Sequence, residues 1–354
     1  MQLLHVDNYT PFVWFAFEKM GPGRRIHDVL IVKGACRFTP SERAWWHIVP
    51  ADDGDVAPIH MSDEPYDFDG GAYSSLRLTG DTVLYKPATD FVIGGSATPA
   101  RGRDRTWAAE IVVRSHGKER RQVILLHGER RWQWSLLRGW HLSNPQSCEQ
   151  IELRYELAYG GSYQQADRWV RHDPNPVGRG FFPEQRMDRE VYYPAARIEL
   201  INSHLDAVHK PIAVPALGPI PRTWASRKRY AGTYGKQWEA DFKRNPGNAD
   251  YAADFDPRFF QAAHPNWIFE PYWRGNETIS LAGFSGDKAI VGQLPGWQPV
   301  AEGQGSKGAL QRQAMKLDTV QIDLDRQRLY LTWRIVIDQD KQIEQAKIHL
   351  ERLS

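Results

Sequence analysis

Near its C-terminal end the chain alternates apolar and polar residues twice in succession. Val320, Ile322 and Leu324 form the first run, Asp325 to Gln327 intervene, and Leu329, Leu331, Trp333, Ile335 and Ile337 form the second. A period of two marks a strand with one buried face, and two such runs joined by a short polar segment make a hairpin. The pattern recurs. Trp107 to Arg114 and Gln122 to Leu126 flank Ser115-His116-Gly117-Lys118, with Trp107, Ala109, Ile111 and Val113 on one face. Phe12 to Phe17 and Val29 to Phe38 flank a turn around Gly21-Pro22-Gly23, and Glu277 to Phe284 and Ala289 to Leu294 flank a Ser-Gly-Asp turn. A chain so punctuated is expected to be mainly β, with antiparallel sheets in sandwich- or barrel-like layers and a few short helices.

Weaker patterns complete the expectation. Asp81 to Pro99 reads as strand, turn, strand, with Lys86 to Asp90 as a turn in which the Thr or Asp side chain bonds to backbone amides. Ile151 to Tyr159 reads as a strand ending in a turn at Gly160-Gly161, and Arg197 to Ile201 as a short, partly apolar segment. Gly303, Gly305 and Gly308 suggest an exposed loop, Pro50 to Gly71 an irregular acidic surface excursion, and Lys341 to Leu353 a strand or short helix. Lys33, on the face of Val29 and Ile31, is expected at an edge or reaching solvent. The basic runs Arg101, Arg103, Arg105 and Lys118 to Arg121 read as solvated turns.

The stretch from Pro215 to Phe260 behaves differently. It crowds Pro and Gly among Trp, Tyr and basic residues, too punctuated for a long helix and too aromatic for a solvated linker, so it reads as an ordered, buried loop. A helix is expected from about Lys236 to Lys243. Asp256 before Pro257 is an N-cap with proline at the first helical position, predicting a short helix from about Pro257 to Ala263.

This stretch resembles the bacterial family called domain of unknown function 2169. The resemblance rests on Gly218-Pro219-Ile220, Trp224, Arg227, Ala231-Gly232-Thr233-Tyr234, Trp238, Asp254-Phe255-Asp256 and Phe259-Phe260. It extends to Val32-Lys33-Gly34, Lys86-Pro87 with Thr89-Asp90, Gly128-Glu129-Arg130, Tyr155-Glu156, Asn175-Pro176-Val177-Gly178 and Trp333-Arg334. The resemblance covers nearly all of residues 1–354 and implies one family-wide unit, divisible into subdomains 1–160 and 161–354. It implies a type VI secretion effector adaptor or chaperone that binds a toxin, including one with a PAAR domain, and helps load it onto the VgrG spike. Trp224, Arg227, Thr233, Tyr234, Trp238, Asp254 and Asp256 are the candidate residues for partner binding or for organising the fold.

Composition bears on the alternatives. Lys plus Arg number 45 against 43 for Asp plus Glu, which gives no electrostatic footprint for nucleic acid. No catalytic or metal-binding motif such as GxSxG, Walker A, HExxH or CxxC is present, so no enzyme activity, cofactor or metal is expected. Cys36 and Cys148 exclude a disulfide framework but leave one bridge open. The N-terminus MQLLHVDNYTPF has no signal-peptide pattern and no apolar run reaches the ~18 residues of a membrane span, so a cytoplasmic protein is expected. Two other functions remain open. The 14 tryptophans would suit a glycan-binding module if Trp224, Trp238, Trp267 and Trp273 lined one platform. A hydrolase would need His127, Glu129 or the pair Asp254 and Asp256 to converge in a polar cleft. Arg179, in the loop NPVGRGFF, is expected to pair with a carboxylate or stack on a ring.

Overall fold

A computed structural model describes residues 4–41, 45–52, 56–66, 74–183, 187–208, 210–245 and 250–353. Sixteen strands carry the architecture. They are β1 His5–Asn8, β2 Val13–Met20, β3 Ile26–Pro40, β4 Trp45–Pro50, β5 Thr89–Gly94, β6 Thr106–Ser115, β7 Lys118–His127 and β8 Ile198–Leu200, then β9 Ile268–Phe269, β10 Thr278–Ser285, β11 Lys288–Gln293, β12 Trp297–Gly305, β13 Ala309–Ala314, β14 Lys316–Asp323, β15 Arg328–Asp338 and β16 Ile343–Arg352. Twelve of them form one large sheet in the order β8-β7-β6-β10-β11-β4-β3-β15-β14-β5-β9, with β2 also paired to β3. A second sheet runs β1-β16-β12-β13. Phe12 joins the two, with its ring 4.7 Å from Trp297 of β12 and 5.6 Å from Trp333 of β15. Helices are few: α1 Ala225–Lys228, α2 Lys236–Arg244 and short 3-10 turns. Among the described residues no helix is long and apolar enough to cross a membrane.

The expected hairpins form where alternation placed them, β2–β3, β6–β7, β10–β11 and β14–β15. In β6 the alternation reads straight into burial, with Ala109, Ile111 and Val113 in the core. Arg101 to Arg105 is a turn region, and after a 3-10 turn at Gln339–Lys341 the chain forms strand β16. Helix α2 matches its expected range to one residue. Both cysteines are free, Cys36 in the core. Part of the Pro50 to Gly71 excursion lies outside the described residues; within the rest, Ala57 is buried and Glu64–Pro65 forms a short strand against Leu76 to Leu78.

Several expectations are corrected. Lys33 is neither at an edge nor in solvent: β3 lies between β15 and β2 or β4, and Lys33 Nζ reaches Asp81 at 2.8 Å with the lysine only 2% exposed. Asp81 to Lys86 is not a strand, because its groups turn inward: the Val83 carbonyl accepts from Arg334 and Asp81 accepts from Lys33. Ile151 to Tyr159 is not one strand: Ile151–Glu152 and Tyr159–Gly160 are short strands on either side of a 3-10 turn at Tyr155–Leu157. There Asn175 Nδ2 donates to the carbonyls of Tyr155 and Tyr159, which draws the chain out of an extended path. Gly303 and Gly305 end strand β12 rather than open a loop; a Cβ there would lie 2.6 Å and 2.1 Å from carbonyl oxygens of Gln345 and Gln342, so these glycines let two backbones approach. Lys118 to Arg121 is the first half of strand β7, not a turn.

Candidate functional site

The central stretch is fastened to the sheet by buried charge. Asp90 on β5 is 0% exposed and accepts from Lys86 Nζ at 2.8 Å, Gln261 Nε2 at 2.6 Å and the Ala262 N–H at 2.7 Å. The expected Asp-to-amide bond therefore exists, but to a residue 172 positions away rather than within its own turn. Lys86 also donates to Thr319 Oγ1, and Thr319 to Asp318, whose carboxylate pairs with Arg334 at 2.5 Å. Buried ionic groups in such a chain hold one another in place, because removing one leaves an uncompensated charge. The Lys33, Lys86, Asp90 and Arg334 positions of the family pattern are thus structural ties.

The seven candidate residues divide between the interior and the surface. Trp224 is 1% exposed and meets Tyr155 edge-on at 5.2 Å. Arg227 of α1 is buried beneath it and donates from Nη1 to the Ile220 carbonyl and from Nε and Nη2 to the Phe259 carbonyl. Burial lowers its guanidinium to about 10. Asp254 accepts from the Thr233 N–H and hydroxyl, which holds its carboxyl below the usual range. Asp256 caps the following turn by accepting from the Arg258 N–H, and its pairing with the Arg258 side chain lowers its carboxyl as well. That turn is a 3-10 segment, Pro257–Phe260, shorter than the expected helix: Arg227 takes the Phe259 carbonyl and Gln261 turns away to Ala88 and Asp90. Tyr234, Trp238 and Phe242 form an aromatic ladder along α2, with Trp238 half-buried and its ring 4.6 Å from Tyr234 and 5.2 Å from Phe242.

Two concavities flank the turn at Pro265 to Ile268. One is a pocket of about 390 Å³ whose wall includes Ser226, Arg227, Asp256, Ala263, Pro265 and Ile268. The other is an open groove of about 670 Å³ between Arg120 to Val123 of β7, the turn at Leu200 to Asn202, and Pro265 to Trp267. Strand β8 covers only Ile124 to Leu126 of β7. Ile201 adds one bond, its N–H donating to the Val123 carbonyl, and the chain then turns so that the Ser203 N–H donates back to Leu200. Val123 and His127 bond toward β8, and the N–H and C=O of alternate residues on a strand point the same way. Arg121 consequently presents its backbone N–H and C=O to the groove, and Glu119 presents its own along the same edge beyond it, where no strand pairs with either among the described residues. Arg120 spans the groove floor, stacked 4.1 Å over Phe269 and donating to the carbonyls of Asn266 and Ile268.

The residues weighed for hydrolysis face different partners. His127 is buried with its Nδ1 at 3.0 Å from Thr106 Oγ1 and its Nε2 at 3.6 Å from Glu199, which also pairs with Arg130. Glu129 is exposed and pairs with Arg179 at 3.1 Å and Arg197 at 3.6 Å. Trp224, Trp267 and Trp273 fill the core at 1%, 4% and 3% exposure and do not line an open platform with Trp238. A separate apolar feature is the hairpin tip at Leu136 and Leu137, 87% and 96% exposed. The groove was missed by sequence reasoning. Its only sequence signal is a run of basic residues opening an alternating strand, a pattern that also guards sheet edges.

Fold and surface together define a mainly-β protein with an open sheet edge beside a groove. The chain belongs to the family of uncharacterized proteins conserved in bacteria known as domain of unknown function 2169, whose pattern matches residues 23–334. No curated protein and no solved structure matches it.

Proposed function

We propose that this protein is a client-binding adaptor that holds an extended segment of a partner protein by strand addition along the open edge of β7. The observation that carries the reading is that edge: Arg121 turns a backbone donor and acceptor into a groove of about 670 Å³ bordered by Trp267, and Glu119 extends the same unpaired edge. Strand addition draws affinity from main-chain hydrogen bonds and selectivity from pockets for alternate side chains. The client class is the one the family resemblance implies, a type VI secretion effector or a component of the spike that carries it. The test is capture from the native host with tagged protein, comparing wild type with Arg121→Pro, which removes the outward N–H without removing a ladder bond. Recovery of one stoichiometric toxin or spike protein with wild type, lost with the proline variant, supports the reading. Equal recovery with both, or none with either while neighbouring genes are co-expressed, overturns it.

A further inference from the structure

The pocket on the other side of Pro265 has chemistry of its own. A guanidinium carries five N–H donors, and Arg227 directs three of them at the carbonyls of Ile220 and Phe259. Nη1 and Nη2 each retain one N–H, and no carboxylate pairs with Arg227 among the described residues, although it is only 4% exposed. Ser226, its neighbour in the same wall, has a buried hydroxyl without a hydrogen-bond partner among the described residues. The wall contains Arg227, Arg229 and Arg258 against Asp256 and Glu270, and Asp256 is already engaged by Arg258. Arg258 and Arg229 lie against the ring of Tyr230 at 4.4 Å and 4.9 Å. Gln261, also in the lining, is engaged by Ala88 and Asp90, and Pro87, Ala88, Ala263 and Ile268 supply an apolar wall.

A buried cation with donors to spare, an orphan hydroxyl beside it and an aliphatic wall together specify an anion with a short apolar tail. We propose that this pocket is a carboxylate-binding site, in which Arg227 and Ser226 donate to the carboxylate oxygens and Ala263 and Ile268 contact the aliphatic part. Charge-assisted bonds of this kind are about twice as strong as neutral ones, so the site discriminates a carboxylate from its amide. The carboxylate is supplied by a small aliphatic acid or by the C-terminus of a polypeptide. The proposal stands independently of strand addition on β7.

The experiment titrates the full chain with butyrate, butanamide, and the tetrapeptide acetyl-Ala-Val-Leu-Ala as free acid and as C-terminal amide, following the methyl NMR signals of Ala263 and Ile268. Saturable butyrate binding at least tenfold tighter than butanamide is expected, lost in Arg227→Gln. If Arg227→Gln fails to fold, Ser226→Ala carries the test, since its hydroxyl bonds to no other group among the described residues; a roughly threefold to tenfold weakening is expected for one lost hydrogen bond. A free-acid peptide tighter than butyrate by tenfold or more identifies a polypeptide C-terminus, and butyrate alone identifies a small acid. Butanamide or the amidated peptide binding as well as the acids, or no binding by any, overturns the proposal. Arg121→Pro leaves butyrate binding unchanged, which separates this result from that of the groove.

Discussion

Replacing Asp90 with Asn probes the tie between the central stretch and the sheet. The substitution keeps the shape but removes the charge opposite Lys86, and it turns an amide NH₂ toward a site that now accepts from Lys86, Gln261 and Ala262. Breaking a buried pair by altering one partner costs about 3–5 kcal/mol. With ~2.1 cal/mol/K of unfolding entropy per residue, 354 residues give ~0.74 kcal/mol/K, so the expected fall in Tm is roughly 4–7 °C for a single cooperative transition. Urea unfolding at pH 7 supplies the free energy and a thermal melt the Tm. Because the penalty comes from an uncompensated partner, the double variant Lys86→Met, Asp90→Leu is expected to recover at least half of the loss. A loss below ~1 kcal/mol for Asp90→Asn, or a double variant worse than the single, refutes the reasoning.

Further expectations follow from burial. Trp224→Ala removes a fully buried indole and is expected to cost about 3–5 kcal/mol by urea unfolding. Leu136→Ser with Leu137→Ser, at the exposed hairpin tip, is expected to change stability by no more than about 0.5 kcal/mol in the same assay. Desolvation pulls the His264 imidazole down to about 4 from its ordinary 6.5. The folded state therefore resists protonation that the unfolded chain accepts, so stability is full above pH ~6.5 and is lost as pH falls toward about 4. The loss is up to about 3 kcal/mol and nearer 1–2 after allowance for the ring's partial exposure. His264→Asn keeps an acceptor for the Asn266 N–H and is expected to flatten that part of the pH profile, measured by urea midpoints between pH 7 and pH 4.

The strands whose alternation matched one buried face were legible because a local pattern decided them: β6, β7, β10 and β15 appear near where periodicity placed them. Lys33 was not legible, since a lysine in an apolar run reads the same whether it reaches water or a buried Asp81, and only the packing of β15 and β2 around β3 decides. Gly303 and Gly305 were misread for a related reason: glycine permits both a loop and the close passage of another backbone, here β16. At the candidate site, the Asp256 cap was visible as a local signal, whereas the tie from Asp90 to Gln261 spans the chain. The open edge of β7 exists because β8 stops after three residues, a fact about a partner strand that β7's own sequence does not carry.

The adaptor reading is tested most directly by the affinity of a purified client for three versions of the protein: wild type, Arg121→Ala and Arg121→Pro. Arg121→Ala removes only a side chain that pairs with Glu110, while Arg121→Pro also removes the outward N–H. Strand addition predicts near-wild-type affinity for the alanine variant and at least a tenfold loss for the proline variant, with both folded by circular dichroism. Retained affinity in the proline variant, with loss instead in the Leu136→Ser, Leu137→Ser protein, would contradict docking on the β7 edge.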